Sequence, residues 1–186
     1  MKYGLLMFST DYAIHPAELA RAAEERTFES LLFPEHTHIP ASRQSPWPGG
    51  PALPEEASYH GEHVDFDPIW SWPKPVHKPH PPILLGTGSA RGRQRVIDYC
   101  DGWMPIAGRD DVSAGIVDLR ARAEAAGRDP ASISITIFGA PGNHERIAEY
   151  QKLGVERVVS ALPPEGRDAV LPVLDRYAAL IRSLEG

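Results

Sequence analysis

Short apolar runs alternate along the chain with longer segments in which apolar residues recur every three or four positions. Apolar runs without polar alternation are typical of parallel strands that are buried on both faces. These runs predict strands over residues 3–8, 29–34, 82–86, 102–107, 133–138 and 156–161. The helical periodicity predicts helices over residues 16–27, 89–99, 111–126, 143–153 and 166–184. Strand and helix alternate, which indicates an α/β fold with parallel strands and right-handed crossovers.

The alternation is interrupted by a proline-rich segment. We therefore divide the single predicted domain, residues 1–186, into two βα units over 1–39, a proline-rich loop over 40–81 and four βα units over 82–186. Proline excludes a long helix or a central strand from the loop, although Tyr59 to Phe66 is compatible with a short hairpin. A loop of this length inside a domain is usually functional, or indicates that a segment is missing.

Composition narrows the class of protein. The net charge of −6 gives no basic surface for nucleic acid. No apolar run approaches the roughly 18 residues that a membrane helix needs. Cys100 is the only cysteine, so an internal disulfide is excluded, a cytoplasmic location is the default and a buried structural thiol is favoured over a nucleophile.

The strongest local motif is a glycine-rich turn between a predicted strand and a predicted helix. It consists of Gly86, Thr87, Gly88 and Ser89, with Arg91 shortly after. Glycine allows close approach of a ligand, Ser89 can cap the following helix, and Arg91 can pair with a phosphate. A helix N-terminus with free N–H groups suits a phosphate, so we expect a phosphorylated cofactor here. A plain strand-to-helix turn is the alternative.

Several segments resemble the luciferase-like monooxygenases, a family of flavin- or F420-dependent oxidoreductases. Residues 29–40 resemble its second strand and following loop, and residues 59–66 with 73–75 resemble the insertion before its fifth strand. Residues 82–88 resemble the fifth strand with its phosphate turn, and residues 101–103 resemble the sixth strand. The resemblance implies a (β/α)8 TIM barrel.

A barrel of that kind has about 250 residues, and this chain is shorter. The third and fourth strands of the family pattern belong between residues 56 and 57. This chain passes directly from one of these residues to the other, so both strands are absent from the sequence. We therefore expect a TIM-barrel-derived fold with about six βα units instead of eight. Such a barrel is incomplete, distorted or completed by another copy, so a homo-oligomer, such as a domain-swapped dimer, is expected.

The resemblance also implies a site and an activity. Glu35 and His36 follow the second predicted strand, where F420-dependent relatives carry an acid and a histidine near the deazaflavin ring, and His36 is a candidate general acid or base. The expected function is an F420- or FMN-dependent oxidoreductase or monooxygenase acting on a small organic substrate. The alternative is a catalytically degenerate, truncated member that folds and self-associates without cofactor.

Two further groups of polar residues leave alternatives open. Ser9, Thr10 and Asp11 follow the first predicted strand, and an N-cap of the next helix is favoured over a role in a site. Four histidines have a spacing that superficially resembles a zinc pattern, namely His60, His63, His77 and His80. Because no cysteine lies near, we expect no metal and read them as part of a solvated loop.

Overall fold

The structure is a computed structural model that describes residues 1–10, 12–33, 56–63, 65–70 and 80–185. The chain divides into two compact units, one formed by residues 1–38 with 84–186 and the other by residues 39–83. The prediction of a single domain remains a prediction. Within the described residues, no helix is both long and apolar enough to cross a membrane.

The strands occur close to the predicted places. In chain order they are β1 (Lys2–Leu6), β2 (Ser30–Leu32), β3 (Glu56–His60), β4 (Asp65–Trp70), β5 (Leu84–Leu85), β6 (Gly102–Trp103), β7 (Ser134–Phe138) and β8 (Arg157–Ala161). The helices are α1 (Pro16–Glu24), α2 (Ala90–Tyr99), α3 (Val112–Ala125), α4 (His144–Lys152) and α5 (Arg167–Glu185). A short 3₁₀ helix over Pro130–Ser132, which the pattern did not predict, precedes β7.

The described residues of the larger unit form a sheet of six parallel strands in the order β2-β1-β8-β7-β6-β5. The first strand lies between the second and the last, with Gly4 opposite both Ser30 and Val159. Pairing of the first strand with the last is how a βα barrel closes, and a doubly wound sheet lacks it. The sheet is therefore a curled half-barrel, as predicted, with β2 and β5 at its two ends.

The two faces of the sheet differ in what they contact. Side chains on alternate positions, including Tyr3, Leu5, Ile137 and Val158, pack against the helices in the hydrophobic core. The positions between them lie on the inner, concave face, because successive side chains of a strand point to opposite sides. Every second residue of a strand is thus available to line the half-barrel.

The helix ends explain several boundaries. Gly127 and Gly154, predicted to follow helices as C′ residues, have positive φ angles of 69° and 77°. The prediction that the segment Ser9–Asp11 caps the first helix was wrong, because His15 is the N-cap. The Nδ1 atom of His15 accepts a hydrogen bond from Ala17 N at 3.2 Å. An imidazole can accept in one tautomer and so replaces the usual hydroxyl or carboxylate.

Strand β6 is shorter than its apolar run. Pro105 has no N–H to donate, so regular pairing stops after Trp103. Contact with β7 resumes as an isolated bridge between Ile106 and Phe138. The polypeptide therefore continues along the sheet to its carboxyl end although the regular strand has ended.

A bidentate ion pair links β8 to the residue before β2. Arg157 Nε and Nη2 donate to the carboxylate of Glu29 at 2.9 and 2.8 Å. The hydrogen bond from Arg157 holds the pKa of Glu29 below its ordinary value. Because β8, which carries Arg157, lies on the opposite side of β1 from β2, the pair ties β2 to the rest of the sheet across β1.

The smaller unit contains an antiparallel hairpin of β3 and β4. His60 lies opposite Asp65, and its Nδ1 contacts the Asp65 carboxylate. The register shifts between Ala57 and Tyr59, which marks a β-bulge. The hairpin is longer than the predicted segment, and β4 contains Pro68, a residue compatible with an edge strand.

Candidate functional site

The chemistry-bearing loops of a parallel half-barrel gather at the carboxyl ends of its strands. Neighbouring loops at this rim are tied together by backbone hydrogen bonds. Ala107 N donates to Phe138 O at 2.9 Å, and Ala140 N donates to Val159 O at 2.8 Å. These bonds fix the loop after β6 against β7 and the loop after β7 against β8.

The predicted glycine-rich turn, residues 86–89, lies at this rim between β5 and α2. Ser89 is the N-cap of α2, as predicted, and its Oγ accepts from Gly92 N at 3.0 Å. The Thr87 hydroxyl accepts from Ser89 N at 3.2 Å, which closes the turn. The first turn of the helix is thus fixed by two side chains of the motif itself.

The amino end of α2 carries backbone donors without an acceptor among the described residues. Among the described residues, nothing accepts from the amides of Ala90 and Arg91, the first two residues of the helix. The Arg91 side chain is exposed and, within the same part of the chain, makes no hydrogen bond or ion pair. Amides at the amino end of a helix, with an exposed cation beside them, fit a phosphate group.

Two side chains from outside the motif hold the turn from behind. Trp103 Nε1, fully buried in β6, donates to Thr87 O at 2.7 Å. Arg93 Nη1, from the second turn of α2, donates to Gly88 O at 3.0 Å. Sequence reasoning missed both residues. The available signal was weak: a tryptophan in the strand beside the turn and an arginine four residues after the cap.

A carboxylate from the loop after β6 also lies at the turn. Asp110 Oδ2 accepts from Ile106 N at 2.9 Å. Its Oδ1 is so close to Gly88 that a Cβ built on that glycine would lie 2.1 Å from the oxygen. No side chain larger than hydrogen fits at position 88 in this arrangement, which explains the second glycine of the motif.

Apolar side chains are exposed on the inner side of the same rim. Phe8 is 51 % exposed and Ile106 is 37 % exposed, and both continue the inward-facing positions of their strands. Phe138, half-buried, bridges to Ile106 on the next strand. Large exposed apolar side chains that share a concave surface suit a flat, largely apolar ligand.

The other predicted site residues have different outcomes. Glu35 and His36 lie outside the described residues, so their predicted role stays a prediction. Thr10 Oγ1 contacts Pro164 O at 3.5 Å, which ties the loop after β1 to the loop after β8. In the described ranges no cluster of histidine, cysteine or acidic residues could hold a metal ion, and His77 of the histidine pattern lies outside them.

A cleft of about 500 Å³ opens elsewhere in the larger unit. Its lining includes Arg120, Asp129, Ser134, Gly154 and Glu156. Ser134 begins β7 and Glu156 precedes β8, so the cleft lies at the amino ends of the strands. That end of a barrel serves stability rather than catalysis, and the site is better placed at the glycine turn.

Sequence relatives extend over nearly the whole chain. It is 25 % identical to an uncharacterized protein of Mycobacterium tuberculosis and to one of Mycobacterium bovis. Each alignment spans 280 positions and includes 96 % of this chain and 98 % of the relative. Since the chain has 186 residues, a long stretch of each relative has no counterpart here.

Two solved structures have a similar fold. The first is the coenzyme F420-dependent tetrahydromethanopterin reductase of Methanopyrus kandleri, with a TM-score of 0.51 and 12 % identity over 68 % of this chain. The second is an F420-dependent secondary alcohol dehydrogenase in complex with an F420–acetone adduct, with a TM-score of 0.50 and 11 % identity over 70 % of this chain. This chain spans only 58 % and 56 % of their respective lengths.

The family follows from a profile match. The profile described as luciferase-like monooxygenase matches residues 47–163, which is more than half of the chain. The match includes the glycine turn, the strand with Trp103 and both strands that follow. The chain therefore belongs to the luciferase-like monooxygenase family.

Proposed function

We propose that this protein is an oxidoreductase that uses F420 or FMN to act on a small organic substrate. The observation that carries the proposal is the glycine turn at the rim of a luciferase-like half-barrel. The amides of Ala90 and Arg91, which have no acceptor among the described residues, and the exposed Arg91 side chain fit the phosphate that both cofactors carry. Membership of the family and the F420-dependent activities of the two structural neighbours support the same class.

Different residues of the site would bind the phosphate and the ring system of the cofactor. The amides of Ala90 and Arg91 would hold the phosphate, and Phe8, Ile106 and Phe138 offer the inner rim as an apolar surface for a ring system. A bound deazaflavin or flavin supplies hydride chemistry, so the protein has to orient it and exclude water. F420 is preferred over FMN because the Glu35-His36 pair matches an acid-histidine pair of F420-dependent relatives.

The first test is a titration of the purified protein with F420, FMN and riboflavin, followed by cofactor fluorescence. We expect saturable binding of F420 and FMN and weaker binding of riboflavin, because riboflavin lacks the phosphate that the turn would hold. A folded protein that binds none of the three would contradict the proposal. That outcome would favour a degenerate family member instead.

The same sample serves to measure the mass in solution. A homo-oligomer is predicted because β2 and β5, at the two ends of the sheet, each pair with a single strand among the described residues. Strand edges of this kind favour association.

We further propose that His36 moves a proton during turnover and that Glu35 orients it. His36→Ala is expected to lower turnover of F420 with secondary alcohols by about 100-fold. Cofactor binding should be preserved, since the phosphate turn is built from other residues. His38→Ala is the matched control from the same segment and should leave turnover unchanged. Equal activity of the two variants would exclude this role for His36.

A further inference from the structure

Two carbonyl groups in the middle of the glycine turn accept hydrogen bonds from side chains of the protein. Thr87 O accepts from Trp103 Nε1 at 2.7 Å, and Gly88 O accepts from Arg93 Nη1 at 3.0 Å. A carbonyl oxygen carries partial negative charge and repels a phosphate when it faces one. Because these two oxygens are bound by donors of β6 and α2, the turn is left to present N–H groups to a ligand.

Arg93 is itself fixed on its other side. Its Nε donates to Asp118 Oδ2 of α3 at 2.5 Å, and its side chain is only 16 % exposed. Asp118 Oδ2 also accepts from Arg122 Nε at 2.9 Å. The hydrogen bonds from Arg122 and Arg93 hold the pKa of Asp118 below its ordinary value, and the bond from Arg122 has the larger effect. The carboxylate therefore stays ionised and keeps the guanidinium in one orientation.

A carboxylate also lies beside the turn, close to the carbonyl group that Arg93 binds. The Asp110 carboxylate lies against Gly88 on the side of the loop after β6. Without Arg93, a phosphate at the turn would meet the Asp110 carboxylate with a released Gly88 carbonyl beside it, and both would repel it. The guanidinium, which is held at the Gly88 carbonyl, offsets part of that negative potential.

We propose that Arg93, oriented by Asp118, is a positioning residue that makes the glycine turn selective for a phosphate. Arg93 acts through Gly88 and needs no contact with the ligand itself. The inference rests on the proposed function only in assigning the phosphate to a flavin or deazaflavin. The turn's preference for an anion is a property of these residues alone.

The test compares FMN with riboflavin, since the two share a ring system and differ in the phosphate. Arg93→Gln is expected to raise the dissociation constant for FMN at least about tenfold and to leave that for riboflavin unchanged. Arg95→Gln is the control. It changes the same residue type on the same helix, and the Arg95 side chain makes no hydrogen bond or ion pair with the described residues. A general loss of structure would change both ligands together.

Asp118→Asn provides a second variant that retains Arg93. It removes the charge that orients the guanidinium, so FMN affinity should fall in the same direction by a smaller factor. Melting temperatures of all variants establish that each is folded. An unchanged ratio of FMN to riboflavin affinity in folded Arg93→Gln and Asp118→Asn would overturn the inference and leave the proposed function standing.

Inorganic phosphate separates the two proposals. Its binding is followed by amide chemical shifts of Ala90 and Arg91. Shifts that saturate in the native chain but not in Arg93→Gln support the inference, whether or not a flavin binds. If the native chain binds phosphate in this way but binds no flavin, only the proposed function fails. A native chain whose amides respond to neither phosphate nor FMN overturns the inference.

Discussion

Arg128→Met should lower the free energy of unfolding by about 3 kcal/mol, because one guanidinium closes the carboxyl end of α2. Its Nη1 donates to the carbonyl oxygens of Val96 and Ile97, each at 3.0 Å, and its Nη2 donates to Cys100 O at 2.8 Å. The last carbonyls of a helix lack partners within the helix. Methionine retains the aliphatic stem and removes every donor.

Urea denaturation followed by circular dichroism measures this change, and the melting temperature should fall by roughly 6–12 °C. Arg109→Met is the control, because the Arg109 side chain is exposed and makes no hydrogen bond or ion pair with the described residues. It should change stability by less than about 0.5 kcal/mol. Arg128→Lys should be intermediate, since an ammonium cannot span the three carbonyls as the planar fork does. Equal stabilities for Arg128→Met and Arg109→Met would contradict this account of the helix end.

Arg128 also illustrates what could not be predicted. The sequence indicated that a helix stops near Cys100, but its cap comes from a residue 28 positions later. Likewise, Asp118 reaches Arg93 across 25 positions. Such contacts depend on how two helices pack on the sheet, and local propensity and periodicity carry no information about them. Burial raises the pKa of the Cys100 thiol, which agrees with the predicted structural role.

The order of elements was predictable because its signals are local. Apolar runs mark the strands, and Gly127 and Gly154 adopt the positive φ that ends a helix. The barrel-like strand order followed from the resemblance and is confirmed. The predicted strands were too long where an apolar run continued beyond the last residue with regular strand pairing, as it does at Pro105. The prediction of the N-cap of α1 was wrong because histidine is an uncommon N-cap residue.

Sequence reasoning predicted the residues of the glycine turn but not the side chains that support it. Ser89 and the two glycines are recognisable because the turn chemistry is contained within four residues. The side chains that support the turn are those of Trp103, Arg93 and Asp110. Arg93 belongs to α2, and the other two belong to β6 and the loop after it. Each of them has an ordinary structural reading when it is considered alone. Three-dimensional proximity is what gives them a role at the turn.

Gly115→Ala should destabilise the protein by about 2 kcal/mol, although alanine is the better helix former by about 1 kcal/mol. A Cβ at position 115 of α3 would lie 2.3 Å from Trp103 Cη2 and 3.0 Å from Cζ2. The indole is fully buried, and its other end is held by the hydrogen bond from Nε1 to Thr87 O. It therefore cannot move away without releasing the glycine turn.

A double-mutant cycle with Trp103→Leu tests this explanation by urea denaturation. Trp103→Leu alone is destabilising because it removes core volume and the donor to Thr87. With the ring gone, the clash is gone, so Gly115→Ala in that background should be neutral or stabilising by up to about 1 kcal/mol. The effect of one methyl group thus changes sign with the residue that faces it. If instead the two substitutions are additive, the strain at Gly115 lies elsewhere and Trp103 does not link α3 to the turn.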